Sequence, residues 1–403
     1  MKQEPHLVRI PQDRFNDYQY EVIFNAYKWD PQIEDQRTIA NHVVVLDDET
    51  AFQLQKWAED LAWETSLLEE YLINKPSLIK KLNLPNKINN VLKKNTDYQR
   101  NNHIRLLRFD FHPTTNGWQI SEVNSDVPGG LAEASVLPKL AASYLNGYQN
   151  YADVGQSIVE AFLKKVKPGE LIAFVYATSY SDDRQVMEFL GKYFEKHGYK
   201  TVYLAPDDIL WQDKKPYCKL KNQEGLISGI VRFFPAEWLC GLPAKSQWLN
   251  YFDCSVASCN HPIAIITQAK RLPLIWDKTG LELRTWKTLL PLTAGSLTFN
   301  QTDNWILKPN LGRVGQDILI KETMALKEQK RILRNAFLFP ANWVAQKRFT
   351  SLPLSTDNDE LYHLCVGVFT VNAKFAGFYG RISPYPRIDS GAIDIPILIS
   401  KVV

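Results

Sequence analysis

The sequence predicts an α+β fold carrying an inserted Rossmann-like α/β lobe. Three patterns predict it: an apolar-striped helical stretch leading into a hairpin, a β-α-β order mid-chain, and a strand-rich final third. With 403 residues, 45% hydrophobic and 23% charged, the chain can bury a sizeable core shared by two or three structural units.

From Asp48 to Leu82 there are few Gly or Pro residues, and Phe52, Leu54, Trp57, Leu61, Trp63, Leu67 and Leu68 recur at helical intervals. This stretch predicts one long helix or a pair, with the stripe in the core. In the hairpin, Leu107, Phe109 and Phe111 alternate with Arg108 and Asp110, while Trp118, Ile120 and Glu122 share a parity with Asn124. A three-residue loop, Thr115-Asn116-Gly117, sets Thr114 opposite Trp118, Asp110 opposite Glu122 and Arg108 opposite Asn124. A two-residue loop of Asn116-Gly117 would pair Glu122 with Phe111 instead. GGLAEASVLPKLAASYL predicts a helix from near Gly130. LIAFVYA, DDRQVMEFLGKYFEKHG and TVYLA then read as strand, helix and strand, and GLISGIVRFF and PIAIITQ as further strands. Beyond Trp286, strands are expected at NWILKP, QDILIKE, NWVAQKRF, LYHLCVGVFTV and KFAGFYGRIS. The division is 1–150 (helix and hairpin), 151–275 (Rossmann-like, without a GxGxxG fingerprint) and 276–403.

The net charge of +3, with bases and acids interspersed, calls for no nucleic-acid or membrane partner. The opening MKQEPHLVRIPQDRF has no signal-like apolar run and no segment matches a membrane helix, so the expected compartment is the cytoplasm. Cys218, Cys240, Cys254, Cys259 and Cys365 form no CxxC pair and are expected to be reduced. CSVASCNH, with Cys254, Cys259 and His261, reads as core rather than as a zinc site.

Two places carry chemistry. Asp110 and Glu122 would repel across the hairpin unless a cation lies between them, and with the Asn124 amide they suit a hard cation such as Mg²⁺. The competing reading is a salt bridge from Arg108 to Asp110 or Glu122 on a solvated face. In WILKPNLGRVGQDILI, a strand ends at Lys308 and a loop with Gly312 and Gly315 leads to a second strand from about Asp317. Without GK[ST] and a following helix this is no Walker A motif. A flap is expected, whose amides, with Lys308 and Arg313, face anionic oxygens. An ordinary hairpin with exposed bases is the alternative. Metal cluster and basic loop together are the two halves of a nucleoside triphosphate site.

Arg108-Phe109-Asp110, Glu122-Val123-Asn124, Lys308-Pro309 and Gly312-Arg313-Val314-Gly315 occur in an order that resembles the glutathionylspermidine synthase-like family. Tyr-Lys-Trp-Asp at 27 to 30, Asp183-Arg184, Arg232 through Trp238 and Gln346 extend the resemblance over most of the chain. It implies a circularly permuted ATP-grasp fold, because the acidic motif precedes the lysine and glycine loop, and a synthetase region without the amidase domain. The implied activity is ATP-dependent joining of a small carboxylate, peptide-like in the family, to an amine such as a polyamine, through an acyl phosphate. By the same resemblance, Asp110, Glu122 and Asn124 hold Mg²⁺, and Arg108 and Arg381 contact the transferring group. Lys287, Lys308, Gly312, Arg313, Gly315 and Gln346 contact ATP, and Asp182 and Asp183 attract the amine. Helix capping is the alternative role for these two acids. Where the family places Ser or Thr for its thiol-peptide substrate, this chain has Val127-Pro128-Gly129-Gly130, so Gly129 and Gly130 predict an acid other than glutathione. A noncatalytic nucleotide- or peptide-binding relative and a phosphotransferase using the same ATP site are the alternative functions. Acid, amine and oligomeric state carry no signature in the sequence.

Overall fold

The computed structural model describes residues 4–29, 32–33, 36–94, 98–220, 223–299, 304–313, 315 and 317–401. Asp30 and Val314, named above, lie outside them.

The sheet that matters most for function is antiparallel. It runs from Ile393–Ile395 through Lys374–Ser383, Leu361–Val371 and Leu106–Thr114 to Gly117–Asn124, with Pro353–Ser355 added along Leu361–Val371. The hairpin is thus zipped onto the carboxy-terminal strands, with Asp110 opposite Gly367 and Arg108 opposite Phe369. Alternation along each strand sorts the side chains. Leu107, Phe109, Phe111, Val123, Val366, Val368, Phe378 and Ile382 share a core with Leu54, Leu61 and Leu68 of the long helix Asp48–Ile73. The opposite face collects Arg108, Asp110, Glu122, Asn124, Cys365, Tyr379 and Arg381. A single apolar face therefore fixes the register of every polar group on the other.

The hairpin differs from expectation in an instructive way. Its loop is the two residues Thr115-Asn116, so that Thr114 pairs with Gly117 and not with Trp118. A register shift between Asp110 and Phe111 then restores Asp110 opposite Glu122 and Arg108 opposite Asn124.

The middle of the chain has a parallel core in the order Lys200–Leu204, Leu171–Tyr176, Gly225–Phe233, Ala257–Cys259. The antiparallel strands Lys215–Cys218 and Leu210–Gln212 extend it. Ile172, Phe174 and Tyr176 pack with the helices Val154–Leu163 and Ser181–Lys196, and Ala173 and Val175 face the other core. The expected strand at PIAIITQ is instead a 3-10 turn, Pro262–Ala264, running into the helix Ile265–Gln268. Pro262 opens the turn and the His261 side chain caps it by accepting from the Ile263 amide.

A three-stranded antiparallel sheet, Thr293–Gly295, Trp343–Lys347 and Trp305–Pro309, supplies the last wall of the site. Leu307 and Ala345 pack on Ile332 and Ala336 of the amphipathic helix Leu326–Leu338, an element the strand-rich reading missed. The opposite face carries Ile306, Lys308 and Gln346. The strand expected from Asp317 is reduced to one bridge, Leu319 to Leu307, followed by a 3-10 turn.

Candidate active site

The polar face of the hairpin sheet, the Lys308 strand, the glycine loop and the edge of the parallel sheet enclose a cavity of about 400 Å³. It is lined by Arg108, Asp110, Glu122, Asn124, Gly129, Gly130, Asp183, Lys308, Arg313, Gly315 and Arg381, among others. Six lysine or arginine side chains face three carboxylates there, a balance that favours a polyanionic ligand. A smaller cavity of about 40 Å³ shares Ser121, Glu122 and Lys308 with it, and Lys270, Trp276, Trp286, Leu290, Val344 and Gln346 are among its other walls. In that largely apolar slot, Gln346 Oε1 and Trp276 Nε1 are buried without a hydrogen-bond partner among the described residues. An unpaired acceptor and an unpaired donor beside a polyanion pocket suit a flat, polar-edged heterocycle.

Arg108 is held from all sides. Its guanidinium makes two hydrogen bonds to Asp110, at 2.7 and 2.9 Å, and donates to the Gly129 carbonyl at 2.7 Å. It lies 5.1 Å from the centre of the Tyr379 ring, which donates its hydroxyl to Asp394 at 2.7 Å. The salt bridge set out as the alternative for Asp110 is therefore present, on a buried face and not a solvated one. Gly130 sits at φ +85°, and a Cβ there would come within 2.8 Å of the Tyr379 ring. Gly130→Ala should cost about 1–2 kcal/mol from backbone strain alone, with the clash in addition. Urea denaturation should show the loss.

Glu122 is bound by Lys270, whose ammonium lies 3.0 Å from Oε2 and also donates to the Gly312 carbonyl at 2.6 Å. Burial alone would raise the Glu122 carboxyl, but Lys270, Lys308 and Arg108 outweigh it and bring it down to about 2. Lys308 donates to the Ser121 carbonyl at 2.9 Å, and burial pushes its ammonium down to about 8 against the pull of Glu122. Asn124 donates to Asp110 at 3.0 Å. Arg313 reaches away from the glycine loop to Glu237, at 2.8 Å, and to Asp126, at 3.4 Å, tying the loop to the parallel-sheet unit. Gly315, at φ +66°, abuts the Ile388 carbonyl so closely that a Cβ would lie 2.7 Å from it.

Three expected site residues line neither cavity. Lys287 is half exposed and pairs with Asp277 at 2.9 Å. Asp182 is exposed on the first turn of its helix. Gly312 contributes its carbonyl to Lys270 but does not line the space. Lys270 was missed. Its signal lay in AKRLP, just after PIAIITQ, where the misread strand hid a helix whose end delivers the lysine to the hairpin. Among the described residues, no three His, Cys, Asp or Glu side chains are grouped to hold a metal ion. A cation here would thus rest on Asp110, Glu122 and an amide oxygen.

A family model described as glutathionylspermidine synthase pre-ATP-grasp matches residues 9–394. The chain belongs to this family. Among curated proteins no sequence matches significantly. A solved structure from Methylobacillus flagellatus KT, provisionally described as a gamma-glutamylcysteine synthetase, is 10% identical with a TM-score of 0.42. The match covers 82% of this chain and 86% of that one, a likeness too distant to bear on function. The glutathionylspermidine synthase family and the mixed α/β architecture indicate a synthetase-type ligase. No helix of the described residues is long and apolar enough to cross a membrane.

Proposed function

We propose that the chain is an ATP-dependent carboxylate–amine ligase on a circularly permuted ATP-grasp scaffold, working in the cytoplasm, where its free cysteines stay reduced. The observation that carries this reading is the meeting, in one cavity, of the hairpin acids with Lys308, Arg313 and Arg381, beside a slot holding Gln346. Gln346 and Trp276 would hold the base of ATP, with Lys270, Lys308 and Arg313 on its phosphates. Asp110, Glu122 and the Asn124 amide fit Mg²⁺ by donor chemistry, all three being oxygen ligands on one sheet face. When bound, the ion neutralises charge on the transferring phosphoryl group. A carboxylate oxygen of the acid attacks the γ-phosphorus and ADP leaves. The amine nitrogen then attacks the acyl carbon, phosphate leaves, and the surplus amine proton passes to solvent. Arg108 and Arg381 would stabilise charge in both steps.

The test is ADP release, required to depend on Mg²⁺, an acid and an amine together. ATP binding without turnover would mark a noncatalytic binder, and a stable phosphorylated acid would mark a phosphotransferase.

The lowered pKa of Lys308 predicts how ATP affinity varies with pH. A bound triphosphate favours the charged ammonium and so raises a pKa that stands near 8 in the free protein. Binding therefore takes up protons at and above that pH, and affinity falls as pH rises past it. Calorimetry at pH 7 and 9.5 should show ATP affinity weaker by about tenfold at the higher pH, and little change in Lys308→Arg.

The glycines bear on the acid. A Cβ at Gly129 would meet nothing within 4 Å, so this position opens onto the cavity without a side-chain donor. Glutathione should therefore not lead a panel of acids in kcat/KM, and Gly129→Ser should raise its standing. A clear lead for glutathione in the unaltered protein would contradict this.

A further inference from the structure

Lys28, in the stretch that follows the helix Phe15–Asn25, does not line the cavity but reaches the strands that do. Its neighbours hold it there. Tyr27 takes a left-handed φ of +55°, its ring meets Phe189 edge-on at 6.5 Å, and the Trp29 amide donates to Gln185 Oε1 at 3.4 Å. A non-glycine residue keeps such a backbone only where its surroundings fix it. The Lys28 ammonium ends between two carboxylates, with Asp394 Oδ2 at 2.5 Å and Glu133 Oε1 at 2.8 Å. Burial alone would lower its pKa, but Asp394 and then Glu133 outweigh that and hold it well above the ordinary lysine value.

Asp394 stands directly across the strand pair from Arg381, and an acid and a base so placed ordinarily join. Here they do not. One Asp394 oxygen accepts from the Tyr379 hydroxyl at 2.7 Å and the other from Lys28, while Arg381 donates to the Asp389 carbonyl. The Asp389 carboxylate is itself bound by Arg387 at 2.7 Å. Among the described residues Arg381 therefore has no carboxylate partner, and it lines the cavity with Arg108. We propose that Lys28 is a positioning residue for Arg381: by binding Asp394 it withholds that carboxylate, so that the guanidinium keeps its donors for the group being transferred.

The role rests on the ligase reading, which gives Arg381 its work, and names the residue that keeps Arg381 available. With Lys28 neutral, Asp394 would be a buried carboxylate without a cation, a costly state that the guanidinium across the strand pair can relieve. Arg381 would then turn from the cavity to Asp394. A plain structural role for Lys28, neutralising two buried acids, predicts lost stability and no more. Competition for one carboxylate predicts in addition that removing this carboxylate returns Arg381 to the cavity.

The test compares variants of the full chain in two ways. One is ADP release with Mg²⁺, a pool of glutathione and N-acetylated amino acids, and a pool of spermidine and 2-phenylethylamine. The other is labelling of Arg381 by phenylglyoxal, read by mass spectrometry. Lys28→Met should lower turnover by about 10²-fold with KM for ATP changed less than about threefold, and should slow labelling of Arg381 by about tenfold. Adding Asp394→Asn should regain about tenfold in turnover and restore the labelling, because an amide holds a guanidinium far less firmly than a carboxylate does. Lys28→Arg, which keeps the charge, should retain most of both. Lys28→Gln keeps a donor without the charge; it should follow the same order and guards against a Lys28→Met chain that fails to fold. A double variant no better than its Lys28 parent, or Arg381 labelling equal in all variants, overturns the proposal. The ligase reading is judged apart, on the unaltered protein: absence of acid- and amine-dependent ADP release there overturns that reading, while the labelling pattern needs no turnover and still decides the role of Lys28.

Discussion

Replacing Glu122 with alanine is expected to lower acid-dependent ADP release by about 10²-fold or more while the protein still folds. Glu122 stands across the hairpin from Asp110 and within 3.0 Å of the Lys270 ammonium. It is both a proposed metal ligand and the negative charge that lets two lysines share one pocket. Its carboxyl is held down to about 2 and is ionised throughout the working range. The fold should survive because the apolar face of the same strands, Phe109, Phe111 and Val123 against the long helix, fixes the hairpin independently. Glu122→Gln separates the roles, since it keeps the shape and one oxygen donor but loses the charge. Circular dichroism and ADP release are the measurements. Unchanged turnover, or ATP binding that needs no metal in the unaltered protein, would contradict the assignment.

The second large effect is expected at Lys270, which sequence motifs did not single out. Lys270→Ala should weaken ATP binding and lower turnover together by about 10²-fold, whereas Lys287→Ala should change either by less than about twofold. Lys270 links the Glu122 carboxylate to the Gly312 carbonyl and so connects the hairpin to the glycine loop. Lys287 makes a half-exposed pair with Asp277, the kind of contact that contributes little. Steady-state kinetics with ATP as the varied substrate distinguishes the two. A larger loss at Lys287 would restore it to the nucleotide site.

What could be read from the sequence follows from which signals were periodic and which were only apolar. Alternation in Leu106–Thr114 and Gly117–Asn124 was strong enough to place Arg108, Asp110, Glu122 and Asn124 on one face. Even so, the register came out right through two deviations that offset each other, a shorter loop and a shift between Asp110 and Phe111. Nothing local announces such a shift. PIAIITQ was ambiguous because a short apolar run fits a buried strand or a buried helix equally well, and tertiary packing chose the helix. The helix Leu326–Leu338 was legible in its amphipathic spacing but lay among strands. Lys287 and Lys270 could be told apart only by where their backbones run. Tyr379 and Asp394, which hold Arg108 from behind, come from strands far along the chain that pair with or beside the hairpin. No motif spacing encodes that meeting.

In the proposed reaction the γ-phosphate passes through the carboxylate of the acid. The direct measurement is mass spectrometry of the inorganic phosphate released when the protein turns over ATP with Mg²⁺, amines and acids carrying ¹⁸O in their carboxylates. Attack by a carboxylate oxygen on phosphorus, followed by cleavage of the acyl carbon–oxygen bond, transfers one labelled oxygen to phosphate. Singly labelled phosphate should appear in step with ADP and amide product. Unlabelled phosphate, or AMP with pyrophosphate in place of ADP, would contradict it.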